Sequence, residues 1–206
     1  LVHTGHMMDA LMRQAVASGV SLCHGAWVER MDDDGDGVEL HTQPFGPVRA
    51  RRAVVCTNGF ARQLLPALDV TPARAQVLVT DPIPGLRFRG AFHFDEGYYY
   101  FRNVGDQVLF GGARNLDFEG ETTTEMVTTG LIQDRLERCL REVIIPGVDF
   151  RVQRRWSGIM GLGPTKSPIV QALSGTTVAA VRMGGMGVAL GTLAGEEAAA
   201  LALGTM

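Results

Sequence analysis

The residues best placed to do chemistry lie near the C-terminus, in the run TTVAAVRMGGMGVALGTLAGEEAAALAL, Thr176–Leu203. An apolar β-type run, Val178–Val181, meets glycines at 184, 185 and 187, and an Ala/Leu-rich helical pattern follows at once. Strand, glycine turn and helix together aim bare backbone N–H groups and a positive helix end at an anion or an electron-rich ring. The stretch Gly185-Met186-Gly187-Val188-Ala189-Leu190 lacks the sixth-position glycine of the dinucleotide fingerprint GxGxxG. On pattern alone, a tight turn that packs a helix on a sheet is the alternative. A second cluster is Tyr98-Tyr99-Tyr100-Phe101-Arg102. Strand alternation puts Tyr98, Tyr100 and Arg102 on one face and Tyr99 and Phe101 on the other. One face belongs to the core. The other either packs cross-strand aromatics or lines a pocket where phenol and guanidinium groups orient a substrate carboxylate. A third is residues 154–170, RRWSGIMGLGPTKSPIV. A surface loop explains its glycines; a ligand-facing loop also explains a Trp, two Args and Lys166 crowded at a strand end.

Other patterns carry less. Asp32, Asp34, Asp36 and Gly37 match four positions of a calcium loop, but Gln43 stands where the bidentate Glu is needed, so a solvated hairpin turn is expected. His3 and His6 have no carboxylate or cysteine spaced to join them as ligands, and no metal site is expected. There is no Gly-x-Ser-x-Gly elbow and no phosphate-binding loop ending in Gly-Lys-Ser/Thr.

The elements that position these residues follow from periodicity. His6–Ser18 carries Met7, Met8, Leu11, Met12, Ala15 and Val16 at helical spacing, with Gly19 as a stop. Val20–Cys23, Ala26–Met31 and Val38–Thr42 read as strands, and Ala53–Thr57 as a buried parallel strand ended by Asn58-Gly59. Ala61–Leu68 reads as a short helix. Pro72 opens a stretch of strands at Gln76–Thr80, Ala91–Phe94, Tyr98–Asn103 and Gln107–Gly112, then a long helix at Thr123–Val143 ended by Pro146, and a strand at Phe150–Ser157. The order is an α/β block, a largely antiparallel β block with one helix, and a return to α/β. The short strands of the α/β block need a parallel partner to complete a covered sheet.

Composition bounds the rest. The 206 residues suit one large domain or two small ones, and 46% hydrophobic with 20% charged residues is ordinary for a globular core. A net charge of −3 gives no electrostatic case for nucleic acid. No apolar run reaches membrane-span length, and LVHTGHMMDAL has neither the basic nor the apolar region of a signal peptide. Cys23, Cys56 and Cys139 are odd in number and far apart, which points to small buried hydrophobes and a reducing, cytoplasmic setting.

These pieces, in order, resemble the C-terminal part of the FAD-dependent oxidoreductases related to D-amino-acid oxidase, glycine oxidase and sarcosine oxidase. Met7–Met31 is similar to the family's helix and following "aGV…V…" segment. ARRAVVCTNG, Ala50–Gly59, is similar to the strand that ends in the "A-T-G" turn. YYYFRNVGDQVLFGGARN, Tyr98–Asn115, resembles "Y-x-x-x-R…G-G". The segments around Arg155–Ile169 and Thr177–Leu203 resemble "R-x-W-x-G…P-I" and the closing "G-x-G-x-G" helix. No single motif is highly specific; the ordered set is.

The resemblance implies an α/β (mixed α+β) fold. A partial Rossmann-like FAD-binding domain would comprise residues 1–71 and 154–206, with an antiparallel substrate domain, 72–153, inserted. It implies FAD contacts from the Val28 backbone, from Thr57, Asn58 and Gly59, from Gly158, and from Gly184, Gly185, Met186, Gly187, Val188 and Ala189. The candidate substrate contacts are Tyr100 and Arg102, from the strand face described above, and Lys166, which is either a solvated loop lysine or a cation near the flavin that anchors an acid. The implied reaction is hydride transfer from an amine or amino-acid C–H to the flavin, giving an imine that hydrolyses; no strong base is needed if the amine enters neutral. Two departures matter. The family's N-terminal βαβ unit with GxGxxG is not in this sequence, so a missing segment or partner chain is expected to supply the ADP site. And glycine-oxidase-type enzymes place a carboxylate-binding Arg shortly after W-x-G, where this chain has Met160.

Overall fold

Alternating apolar runs and turn residues give eleven strands and three α-helices among residues 2–205, which the computed structural model describes. Leu1 and Met206, the outer bounds of the expected domains, lie outside it. In chain order the elements begin with α1 (Thr4–Ala17), β1 (Trp27–Asp33), β2 (Val38–Gln43), β3 (Gly46–Ala50), β4 (Ala53–Val55), β5 (Thr71–Thr80), β6 (Ala91–Phe94), β7 (Tyr99–Val104) and β8 (Gln107–Gly112). They continue with α2 (Gly130–Cys139), β9 (Val152–Leu162), β10 (Ile169–Ala172), β11 (Thr177–Val181) and α3 (Gly187–Leu203). The fold is mixed α/β with antiparallel sheets, and the chain forms two compact units, residues 1–70 with 161–206, and residues 71–160.

The first unit is organised by β11, whose five residues are all buried. Alternation sends Val178 and Ala180 to one face, against Ala198 of α3, and Ala179 and Val181 to the other, against Ala61, Leu68 and Val70. A strand covered on both faces has to be apolar throughout, and this one is. It pairs in parallel with β4 and antiparallel with β10, in the order β10-β11-β4. Beside it lies an antiparallel meander, β1-β2-β3. Asp33, at the end of β1, joins the meander to the β10–β11 turn. Its carboxylate accepts from the Thr176 and Thr177 hydroxyls, both at 2.6 Å, and from Ser174. Those three hydroxyls and the Gly35 N–H hold its pKa far below the usual carboxylate range. The acidic turn is therefore only partly the solvated hairpin expected. Helix α1 contrasts with β11: it has no buried residue, and Met8, Leu11 and Val16 are each at least half exposed.

The second unit is a five-stranded sheet, β6-β7-β8-β5-β9, with α2 on one face. Tyr99, Phe110 and Leu78 of the sheet meet Ile132, Leu136 and Leu140, all nearly or fully buried. Beneath α2 lies a buried polar network. Arg74 donates to both Glu121 carboxylate oxygens, at 2.7 and 3.1 Å, and Gln76 donates to Glu121 at 2.9 Å.

Several elements differ from the sequence reading. Residues 20–23 form no strand. The helix expected from Thr123 starts at Gly130, because Thr129 is held extended: its N–H donates to Gln76 Oε1 and its hydroxyl accepts from Gln76 Nε2, both at 2.9 Å. The short helix expected at 61–68 is a 3₁₀ turn at Asn58–Gln63. Strand β10 was not expected. Of the cysteines, Cys139 is buried as expected, whereas Cys23 and Cys56 are exposed and all three are free.

Candidate functional site

Two turns leave the C-terminal ends of the parallel strands β4 and β11, the edge at which open α/β sheets bind ligands. After β4 the chain reaches Asn58 in the left-handed region, φ 47°, which asparagine tolerates better than most side chains. After β11, Arg182, Gly184 and Gly185 take φ of 61°, 60° and 80°. The two turns are fastened together. Asn58 Oδ1 accepts the Met183 N–H at 3.1 Å, and the Gly184 N–H donates to the Gly161 carbonyl at 3.0 Å. Gly161 is a required glycine, since a Cβ there would lie 2.7 Å from Asn58 Oδ1 and 3.1 Å from the Gly59 nitrogen. Three segments, at 57–59, at 161 and at 182–184, thus form one cradle.

Arg182 holds the next layer. Its guanidinium donates to the Asp69 carboxylate at 3.0 Å, to the Asp69 carbonyl at 3.1 Å and to the Ser167 carbonyl at 3.1 Å. A Cβ on Gly163 would sit 2.5 Å from Arg182 Cδ, so that glycine admits the side chain. Arg182 is therefore occupied in bracing the 163–168 loop, a role that sequence reading missed because its partners are more than a dozen residues away.

Beyond the cradle, Gly185 and Met186 are exposed and lead into α3. No side chain caps that helix, and no acidic side chain lies in its first turn. The Ala189 N–H donates to the Met186 carbonyl at 2.9 Å, so the open N–H groups at this positive end are those of Gly187 and Val188. Lys166 is exposed; its backbone carbonyl is the part that borders the turn, 3.6 Å from where a Gly184 Cβ would be. Thr57 is exposed and Gly59 buried beside Asn58. Val28 lies on a different sheet, half-buried at a β-bulge between Val28 and Arg30. Gly158 is exposed with open space where a Cβ would project.

Tyr100 and Arg102 belong to the second unit, on the sheet face opposite α2. His93 pairs with Tyr100 from β6, and Gly111 pairs with it from β8. A Cβ on Gly111 would come within 2.8 Å of the Tyr100 ring, so this glycine lets the ring lie against the sheet. Although 37% of Tyr100 remains exposed, desolvation pushes its phenol above the ordinary tyrosine range and keeps it protonated. Tyr98 does not share this face as alternation suggested. It precedes β7 in a helical conformation, φ −68°, and packs against the core.

One further group was not singled out in the sequence for what it does. Asp32, Glu39 and His41 bring ligand atoms within 4.8 Å of one another, but Arg30 lies among them, 2.7 Å from Asp32 and 2.9 Å from His41, so the acidic charge is already answered within the chain. No helix among the described residues is long and apolar enough to cross a membrane.

Comparison with known proteins gives the following. The DAO family, described as FAD dependent oxidoreductase, matches residues 1–201. No curated protein matches. Among solved structures, L-proline dehydrogenase from P. horikoshii is similar at a TM-score of 0.76 and 16% identity, over 94% of this chain and 53% of that one. Glycine oxidase from Geobacillus kaustophilus has a TM-score of 0.76 and 18% identity, over 94% and 52%. Iminodiacetate oxidase (IdaA) from Chelativorans sp. BNC1 has a TM-score of 0.73 and 19% identity, over 96% and 54%. These likenesses show the fold, and the chain spans about half the length of the structures it matches.

Proposed function

This chain belongs to the DAO family of FAD dependent oxidoreductases, and from that premise we propose that it is part of an enzyme that oxidises the C–N bond of an amine or amino acid with FAD. The observation that carries the reading is the cradle fastened by Asn58, opening onto the uncapped start of α3. The residues fit the group. An exposed glycine turn admits a flat ring against the backbone, and a helix N-terminus favours negative charge on that ring's edge. Thr57, Asn58, Gly59 and the run Gly184–Ala189 would hold FAD, with Val28 contributing backbone. The chemistry that FAD supplies when bound is acceptance of hydride from the C–H beside the substrate nitrogen.

The chain's own residues do the rest. Asn58 and Arg182 keep the cradle rigid. The protonated Tyr100 phenol and the Arg102 guanidinium, on one face of β7, would orient the substrate, and Lys166 would add positive charge at the rim of the glycine turn. The three free cysteines suit a cytoplasmic setting.

A second reading has its own support. The apolar stripe of α1 buries nothing, β4 has β11 as its only partner among the described residues, and Val54 on β4 is 40% exposed. A fragment or subunit that needs a further segment or partner chain for the ADP site would look like this. Visible spectra separate the two readings. The complete protein should show flavin bands that one amine of a small panel bleaches. If the chain of residues 1–206 alone retains FAD, the second reading falls. If the complete protein, supplied with FAD, stays colourless, the first one falls.

A further inference from the structure

The chain passes between its two units twice, from Val70 to Thr71 and from Met160 to Gly161. On the first unit's side, both crossings are tied to one short stretch, the turn after β11. Arg182 reaches the first crossing. Its guanidinium donates to the Asp69 carbonyl at 3.1 Å and to the Asp69 carboxylate at 3.0 Å. Val70, the next residue, is buried in one cluster with Ala179 and Val181 of β11. Gly184 reaches the second crossing, where its N–H donates to the Gly161 carbonyl at 3.0 Å. Just beyond, Gly163 leaves room for the Arg182 stem, and Arg182 Nε donates to the Ser167 carbonyl at 3.1 Å. All of these contacts are made within the first unit.

Arg182 makes these ties from an unfavourable backbone. Its φ of 61° lies in a region that glycine enters freely and a long side chain enters at a cost. Such strain persists where the surroundings over-determine the residue. Here the guanidinium does so: the side chain is 11% exposed, and its fork spans acceptors on two segments, Asp69 and Ser167. A lysine, with one nitrogen, cannot repeat that fork.

We propose that Arg182 is a positioning residue that couples the glycine turn to both crossings, so that whatever orders the turn also orders residues 67–71 and 161–168. The tie itself needs no ligand. One consequence rests on the flavoenzyme reading above: FAD held by the run Gly184–Ala189 stiffens both crossings through Arg182.

The test is hydrogen exchange of the complete protein, read by mass spectrometry, for the parent, Arg182→Gly and Arg182→Lys. Without ligand, Arg182→Gly should exchange residues 67–71 and 161–168 about tenfold faster than the parent, while β11 and α3 keep parent rates. Arg182→Lys should fall in between, and it serves if Arg182→Gly fails to fold. Added FAD should slow exchange at residues 182–187 in every variant, and at the two crossings far more in the parent than in Arg182→Gly. Three outcomes overturn the proposal. One is unchanged exchange at the crossings in Arg182→Gly. Another is acceleration spread evenly over the first unit, which a merely structural role would give. The third is an FAD effect at the crossings that survives Arg182→Gly in full. If the complete protein takes up no FAD, the flavoenzyme reading falls by itself, and the unliganded rates still decide whether Arg182 holds the crossings.

Discussion

Asn58 and Met183 are 125 positions apart in sequence, and the Asn58 side-chain oxygen accepts the Met183 N–H at 3.1 Å. That bond ties the turn after β4 to the turn after β11. Asn58 also meets the demand for a left-handed backbone, so one residue serves two needs. Asn58→Gly keeps the backbone and loses the acceptor, which should cost about 1 kcal/mol in urea unfolding. Asn58→Ala adds strain and should cost about 2–3 kcal/mol. On the FAD reading, both should also lower the flavin retained after gel filtration.

Gly161→Ala should be worse than either. Its Cβ would press on Asn58 Oδ1, which the Met183 N–H holds in place, and on the Gly59 backbone nitrogen. A loss of about 3 kcal/mol or more is expected, read as a lower urea midpoint at unchanged slope.

Arg74 and Glu121 are 5% and 1% exposed at their side chains. Glu121→Gln leaves a buried guanidinium unpaired and should destabilise by about 3–5 kcal/mol. The double variant Arg74→Met with Glu121→Leu should cost less than the sum of the single changes. A double-mutant cycle in urea measures that coupling, and additivity would refute it.

Asp33 sets a pH dependence. Its folded pKa is depressed by three hydroxyls and a backbone N–H, so its contribution is complete above the unfolded carboxylate value of about 4. It is lost as pH falls from there through the folded value. Wild-type protein should therefore lose stability on acidification below about pH 4. Asp33→Asn should be less stable at pH 7 and show a flatter acid limb, measured by thermal melts across pH.

The glycine turn and α3 could be read from sequence because each is a local signal: a buried run, a glycine cluster and a helical pattern in succession. The ends of β6 and β8 were equally plain, since turn residues bracket them. What could not be read depends on distant partners. Thr129 ends the extended segment before α2 only because Gln76, 53 residues earlier, holds both its N–H and its hydroxyl. The role of Asn58 shows only where its side chain meets Met183, 125 positions away. Tyr98 left the expected alternation because the strand begins one residue later.

Helix α1 has fourteen residues and none of them is buried. A helix of that length sits near the margin of helix formation in water when only local bonds support it. Its amide hydrogens therefore report on its surroundings. In the chain of residues 1–206 alone they should exchange with solvent orders of magnitude faster than those of β11. Slowing confined to residues 4–17 in the complete protein would time the arrival of whatever packs on Met8, Leu11 and Val16.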